Sequence, residues 1–398
     1  MKKIYLINIL FVITIVCNAQ WTTYTTSNGL IGNDVKSIAF DTLGNKWFGT
    51  GDGVSKFNGT TWTNYNTDNG MAEANAMSIC FDEQNNLWCA LSNYGIQKFD
   101  GTTWTNYTTG DGLANNKARS IIADAQGNIY TATWGGGVSK FDGTTWTTYN
   151  SSNTPTGICH NNIQVVKIDA AGKLWVGMEC GASVFDGTSW TIYDQTNSSL
   201  IGNDVQDIFF DATGNTWFTT SLGVSKFDGT TWTNYGTTDG LPHNDIKSGV
   251  QDDLGNYWFA TYGGVSEFDG TTFTNYTTTD GLGSLLIRTI AKDDEGNIWA
   301  GNFQAGASVH VVGNRINENN YYGKYSIYPN PSTDIINIQI PNNNFKNMIF
   351  EISDIQGRVI KKGTSTNGSF NISGLSKGLY TIMVNTENDI FVKKIVKD

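Results

Sequence analysis

The chain has 398 residues, with 45 glycines, only five prolines, 13% aromatic side chains and a formal net charge of −11 at pH 7. Together with abundant Thr, Val and Ile, that composition describes turn-rich β structure. The charge is uneven: Gln20–Lys324 carries −15 and the stretch from Tyr325 onward +2, so the body repels phosphate backbones and nucleic acid is excluded as a partner.

The first segment, "MKKIYLINILFVITIVCNAQ", has two lysines, a thirteen-residue apolar core from Ile4 to Val16, and small or polar residues after it. That core is too short to cross a bilayer as a helix, and the pattern predicts a secretory signal peptide over residues 1–19, cleaved after Ala19. Lipoprotein cleavage before Cys17 is the rival reading, opposed by the bulk of Val16. No later stretch is apolar for long enough to span a membrane, so an exported protein with no membrane span is expected.

From Gln20 the chain repeats itself. A Trp-Thr-x-Tyr unit stands at Trp21, Trp62, Trp104, Trp146, Trp190 and Trp232, with Phe273 as a seventh copy. A second signature, Asp-x-x-(Gly/Asn)-(Asn/Lys)-x-(Trp/Tyr), centres on Trp47, Trp88, Tyr130, Trp175, Trp217, Trp258 and Trp299, at spacings of 41 to 45 residues. That period is one four-stranded propeller blade. In the first copy, strand A reads "VKSIAF", B "KWFGT", C "GVSKF" and D "TTWTNY". Asn58-Gly59 and the Asp-Gly dipeptides from Asp100 to Asp269 join C to D, and as two-residue hairpin turns they call for positive φ at both positions. The last copy runs through A, B and C and lacks its Trp-Thr-x-Tyr. The strand at Trp21 supplies it. The prediction is an all-β protein: a seven-bladed β-propeller over residues 20–312, closed by an N-terminal D strand.

The run "DTLGNKWFGTGDGVSKFNG", recurring in variants such as "DATGNTWFTTSLGVSKFDG", resembles the two-component regulator propeller repeat, over residues 21 to 314. That resemblance implies an extracytoplasmic sensing propeller of the kind that recognises glycans or their fragments in hybrid histidine kinases. A kinase module and a following membrane span are missing from the pattern, so ligand recognition rather than signalling is what it implies here.

After an Asn-rich linker (313–324), residues 325–398 alternate apolar and polar residues between turn signals. "YSIYPNPSTD", "SDIQG" and "KGLYTIMV" resemble the C-terminal sorting domain of the type IX secretion system. The resemblance implies a small β-sandwich read by the type IX secretion machinery, then removed by a sortase-like peptidase. The passenger is then released or joined to surface lipopolysaccharide.

Beyond the leader there are four cysteines. If Asp82 and Leu87 bracket the A–B turn, Cys80 and Cys89 face each other on neighbouring strands. Cys159 and Cys180 lie in loops on one rim of the fourth blade. Export to an oxidising compartment then predicts two disulfides, Cys80–Cys89 and Cys159–Cys180. No Cys-x-x-Cys or His-rich spacing suggests zinc, and no cofactor is expected.

A repeat distinguishes packing from function: residues present in most copies hold blades together, and deviations mark a unique site. Twelve of the thirteen tryptophans occupy strand B or D positions; Trp134, in a B–C loop, is the exception. The same rim offers Tyr94, Tyr262 and Phe303, with Asp52, Asn93, Glu179 and Gln304 beside them and Glu73, His160 and His243 from the D–A loops. Aromatic faces flanked by hydrogen-bonding groups suit sugar rings. The alternative is that each aromatic caps its own loop. No nucleophile elbow, His-Glu-x-x-His or phosphate loop is present. The reading is therefore a secreted, surface-associated binding module for carbohydrate or a related polymer. Alternatives are an adhesive or scaffolding surface protein and, behind it, a propeller lyase or hydrolase.

Overall fold

The computed structural model describes residues 20–154, 156–311, 326–339, 348–354, 358–385 and 390–398. The expected leader (1–19) and linker (313–324) lie outside the described residues. The chain divides into two compact units, 1–311 and 312–398.

The first unit contains seven four-stranded antiparallel sheets. The first is built from Val35–Phe40, Lys46–Thr50, Val54–Phe57 and Trp62–Tyr65, the A to D strands in chain order. The seventh takes Ile287–Lys292, Ile298–Asn302 and Ala307–His310 from one end of the unit and Thr22–Tyr24 from the other. Its register sets Thr22 against Val309, Thr23 against Ser308 and Tyr24 against Ala307.

Each sheet buries its faces against its neighbours, through seven apolar clusters each shared by two sheets. One joins Trp299, Ala307 and Val309 of the seventh sheet to Val35, Ile38, Phe48 and Phe57 of the first. Aromatics recur in all seven clusters. Phe57 and Trp62, paired across strands C and D, stack at 4.5 Å, and Phe268 and Phe273 do so at 4.4 Å. Such pairs add to area burial. Gly29 (φ 111°) lets the next strand D approach, since a Cβ there would lie 2.7 Å from Trp62.

The A–B turn carries a second repeated device. Its aspartate accepts the indole N–H of the strand-B tryptophan, as in Trp47 to Asp41 (2.9 Å) and Trp217 to Asp211 (2.9 Å). The same carboxylate accepts turn N–H groups, here from Leu43 and Asn45. Six sheets share this bond. The third has Tyr130 in that place.

Two expectations are corrected. The C–D turns are four-residue loops, such as 58–61, in which only the glycine has positive φ (Gly59, 96°). The leading Asn or Asp side chain accepts the N–H groups two and three residues on, as Asp100 does from Thr102 and Thr103. This Asx arrangement removes the need for positive φ at the first position. The second correction concerns Cys80 and Cys89, which are free. The A–B register is offset by one residue from that assumed, Phe81 rather than Asp82 pairing with Leu87, so Cys80 pairs with Trp88 and Cys89 with Ile79. A one-residue offset sends neighbouring side chains to opposite faces. Cys89 packs in the core toward the first sheet and Cys80 toward the third. Cys159–Cys180 is a disulfide.

The second unit has a three-stranded sheet (Ser326–Tyr328, Ile335–Gln339, Ser369–Asn371) and a four-stranded one (Val359–Ser365, Met348–Ser353, Gly378–Asn385, Ile390–Lys397). Ile336, Ile338 and Phe370 of the first share one core with Phe350, Ile352, Ile382 and Val384 of the second.

Candidate functional site

Residues of all seven A strands line a cavity of about 580 Å³. In every sheet the A–B register shifts between the first and third residues of strand A. The residue between them is a bulge, which re-aims its side chain. Those seven residues are Lys36, Met77, Arg119, Gln164, Gln206, Lys247 and Arg288, and all line the cavity. Four are cations in a body that carries −15.

Three of the aromatics singled out from sequence lie against three of these cations. The Arg119 guanidinium lies 4.6 Å from the Trp134 ring centre, Lys247 Nζ 4.5 Å from Tyr262, and the Arg288 guanidinium 4.5 Å from Phe303. Cation–π contact orients both partners. The loops fix the rings from the backbone: Trp134 N–H donates to the Lys117 carbonyl (2.8 Å) and Phe303 N–H to that of Leu286 (2.9 Å). Tyr262 also lines the cavity.

The remaining rim residues divide. His243 Nδ1 accepts the Asp245 N–H at 2.9 Å and His160 Nδ1 accepts that of Asn162 at 3.0 Å, so each imidazole shapes its own turn. Glu73 accepts from Ser92 Oγ and from the backbone and side chain of Asn93, which commits Asn93 to its loop. Tyr94 is 54% exposed and lies against no other ring among the described residues. Asp52 and Gln304 are exposed at one loop position, Gln304 with φ 57°, and Glu179 is exposed at the position before it.

Aspartates in the turn before strand A neutralise most of the bulge cations. Asp34 pairs with Lys36 (3.5 Å) and Arg288 (3.0 Å), and Asp245 with Lys247 (2.8 Å). Lys36 also donates to Asn75. Burial pushes the Lys36 ammonium below its ordinary pKa, with Asp34 opposing and Arg288 adding to the shift. Arg119 is lowered in the same way by burial, opposed by Glu179 and Asp204. Deeper in the cavity, Ser37, Ser78 and Ser120 each accept an N–H from the next A strand, at Ile79, Ile121 and Val166. Val165 breaks that series, and beside it Lys167 reaches across to Asp207 at 3.0 Å.

Sequence reasoning missed the cations. Strand period alone cannot show a bulge, although the second residue after each Asn-Asp turn, Lys36, Gln206 or Lys247, varies while the first stays β-branched and apolar.

Residues 326–398 match the family described as "Secretion system C-terminal sorting domain". The second unit is a type IX sorting domain. The protein is therefore secreted, to an extracellular or cell-surface location. No curated protein sequence matches the chain. Among solved structures, it is similar to the extracellular domain of a hybrid two-component system from B. thetaiotaomicron (TM-score 0.66, 17% identity, 95% of this chain and 57% of that one). It is also similar to PorZ, a surface component of the type IX secretion system of Porphyromonas gingivalis (0.61, 16%, 92% and 59%). Virginiamycin B lyase from Staphylococcus aureus matches with a TM-score of 0.58 and 13% identity, over 73% of this chain and 98% of the lyase. The chain thus spans less than two thirds of the first two, and the likeness at these identities shows a shared propeller fold. No helix among the described residues is long and apolar enough to cross a membrane.

Proposed function

We propose that the first unit is a seven-bladed propeller, closed by the strand at Thr22–Tyr24, that binds carbohydrate at the mouth of its cavity. The shared cluster between the seventh and first sheets supports the closure. The observation that carries this reading is that Trp134, Tyr262 and Phe303 each lie against a bulge cation, and that all three cations line one cavity. Rings fixed in this way offer flat apolar faces beside charged donors, the combination a pyranose needs for its C–H face and its hydroxyls. The leader at residues 1–19, type IX export and trimming of the sorting domain by a sortase-like peptidase complete the reading.

Glycan-array binding by the purified protein, beside Trp134→Ala, tests it. Binding that the substitution abolishes is expected. A second reading, an adhesive surface that meets another protein, rests on Tyr94 (54% exposed) and Leu222 (52% exposed) on the same rim. A blank array together with a protein partner lost on Tyr94→Ser and Leu222→Ser would favour it.

A further inference from the structure

The bulge cations obey a rule that one of them breaks. Lys36 and Lys247 each have an aspartate two residues earlier, Asp34 and Asp245, and pair with it. Arg288 has Leu286 there and takes Asp34 from the first sheet instead. Gln206, uncharged, donates to Asp204 at 2.6 Å. Arg119 has Lys117 at that place, so the third repeat sets a second cation where three of the other six, with Asp34, Asp204 and Asp245, set an anion. Among the described residues, no carboxylate lies within 4 Å of the Arg119 guanidinium and no hydrogen bond satisfies it; its one neighbouring group of note is the Trp134 ring. Glu179 and Asp204 are the nearest acids and act on it only at longer range.

A half-buried guanidinium without a counter-ion is costly, because desolvation is not repaid by a partner. Five N–H donors in a planar fork match a carboxylate, phosphate or sulfate two bonds at a time. The tryptophan that departs from the repeat is the ring against which this arginine lies. Two independent deviations therefore meet in one repeat, at one mouth of the cavity.

We infer that the ligand is an acidic carbohydrate, one whose sugar carries a carboxylate, phosphate or sulfate that pairs with Arg119 while a ring of the chain packs by Trp134. This rests on the carbohydrate reading and adds the ligand's charge to it. Lys117, exposed beside the same mouth, contributes at longer range.

Matched probes separate the two ideas. Calorimetry on the purified full chain would compare oligogalacturonate with its fully methyl-esterified form, in which every carboxylate is a neutral ester. Sulfated and phosphorylated oligosaccharides would be set against their stripped counterparts. The acidic form of at least one pair is expected to bind about tenfold or more tightly. Arg119→Gln should collapse the ratio of acidic to neutral affinity to within about twofold, whatever it does to the neutral form alone, and Arg119→Lys should restore part of that ratio. Lys117→Gln, on an exposed side chain that tolerates change, should weaken the acidic form about two- to threefold, an effect that salt erases. Equal binding of the charged and neutral forms would overturn the inference and leave the carbohydrate reading standing. A preference that survives Arg119→Gln would overturn the assignment to this arginine. Binding of none of the probes, charged or neutral, would overturn both.

Discussion

At the A–B end of the sheets, successive repeats carry nearly the same chemistry: an aspartate, a glycine or asparagine turn, and a tryptophan whose indole N–H returns to the aspartate. At the opposite end, where the B–C loops and the bulges meet, the same structural positions carry Lys36, Met77, Arg119 and Gln164 in turn. The backbone is equally regular at both ends, since every sheet has its bulge. The difference is what each side chain faces. An A–B tryptophan must fit the next sheet, and every copy meets the same neighbours. A bulge residue faces the cavity, where only charge balance and a ligand constrain it. Uniform positions thus report packing, and variable positions on uniform backbone report freedom that function can use.

Substitutions at the two ends should fail in different ways. Trp217 is 1% exposed, and Trp217→Ala should cost about 3–5 kcal/mol in denaturant unfolding through the cavity it leaves, with ligand affinity of the folded fraction unchanged. Trp134→Ala, on a half-buried loop ring, should cost under about 1 kcal/mol and abolish binding. Similar stability losses would erase the contrast. Next in size is the Cys159–Cys180 bridge. Replacing both cysteines by serine should cost about 2–4 kcal/mol. For protein that begins at Gln20, alkylation after denaturation without reduction should add two labels, at Cys80 and Cys89, and four after reduction. In the native protein Cys80 should label slowly, since burial pushes its thiol up to about 12.

Asp211 tests the turn itself. Burial raises its carboxyl pKa, but hydrogen bonds from Trp217, Asn215 and Thr213 outweigh that and hold it well below the usual range. The folded state therefore binds the proton less tightly than the unfolded chain. Its contribution is present above pH ~4 and is lost as pH falls below that. Asp211→Asn should lower stability at pH 7 by about 1–3 kcal/mol and change little at pH 2, so the mutant's unfolding curve flattens against pH. An unchanged pH slope would show that the turn draws nothing from the carboxylate's charge.

The strands were readable because alternation and a 41- to 45-residue period are direct imprints of packing. The absent D strand of the last copy pointed to Thr22–Tyr24, which does pair with Ala307–Val309. Trp134 stood out because it broke the repeat. Register was harder: a one-residue offset at the A–B turn separates Cys80 from Cys89, and hydrophobic pattern does not fix turn length. The ring of cations escaped altogether, since a bulge is a backbone event without a side-chain period. His160 and His243 each accept a backbone N–H within their own turns, and Asn93 donates to Glu73 of the neighbouring D–A loop, contacts that the sequence pattern does not show.

The smallest effect bears most closely on the mouth of the cavity. Glu179 is exposed beside Arg119 and favours its charge without reaching it. If Arg119 awaits an anion, Glu179 repels that anion across the mouth, and Glu179→Gln should tighten an acidic ligand about two- to threefold at low salt, with the gain gone at 1 M salt. Neutral ligands should not respond. Weaker binding of both forms would mean that Glu179 accepts sugar hydroxyls directly. The mouth would then be read by hydrogen bonds on its fourth-repeat side and by charge on its third.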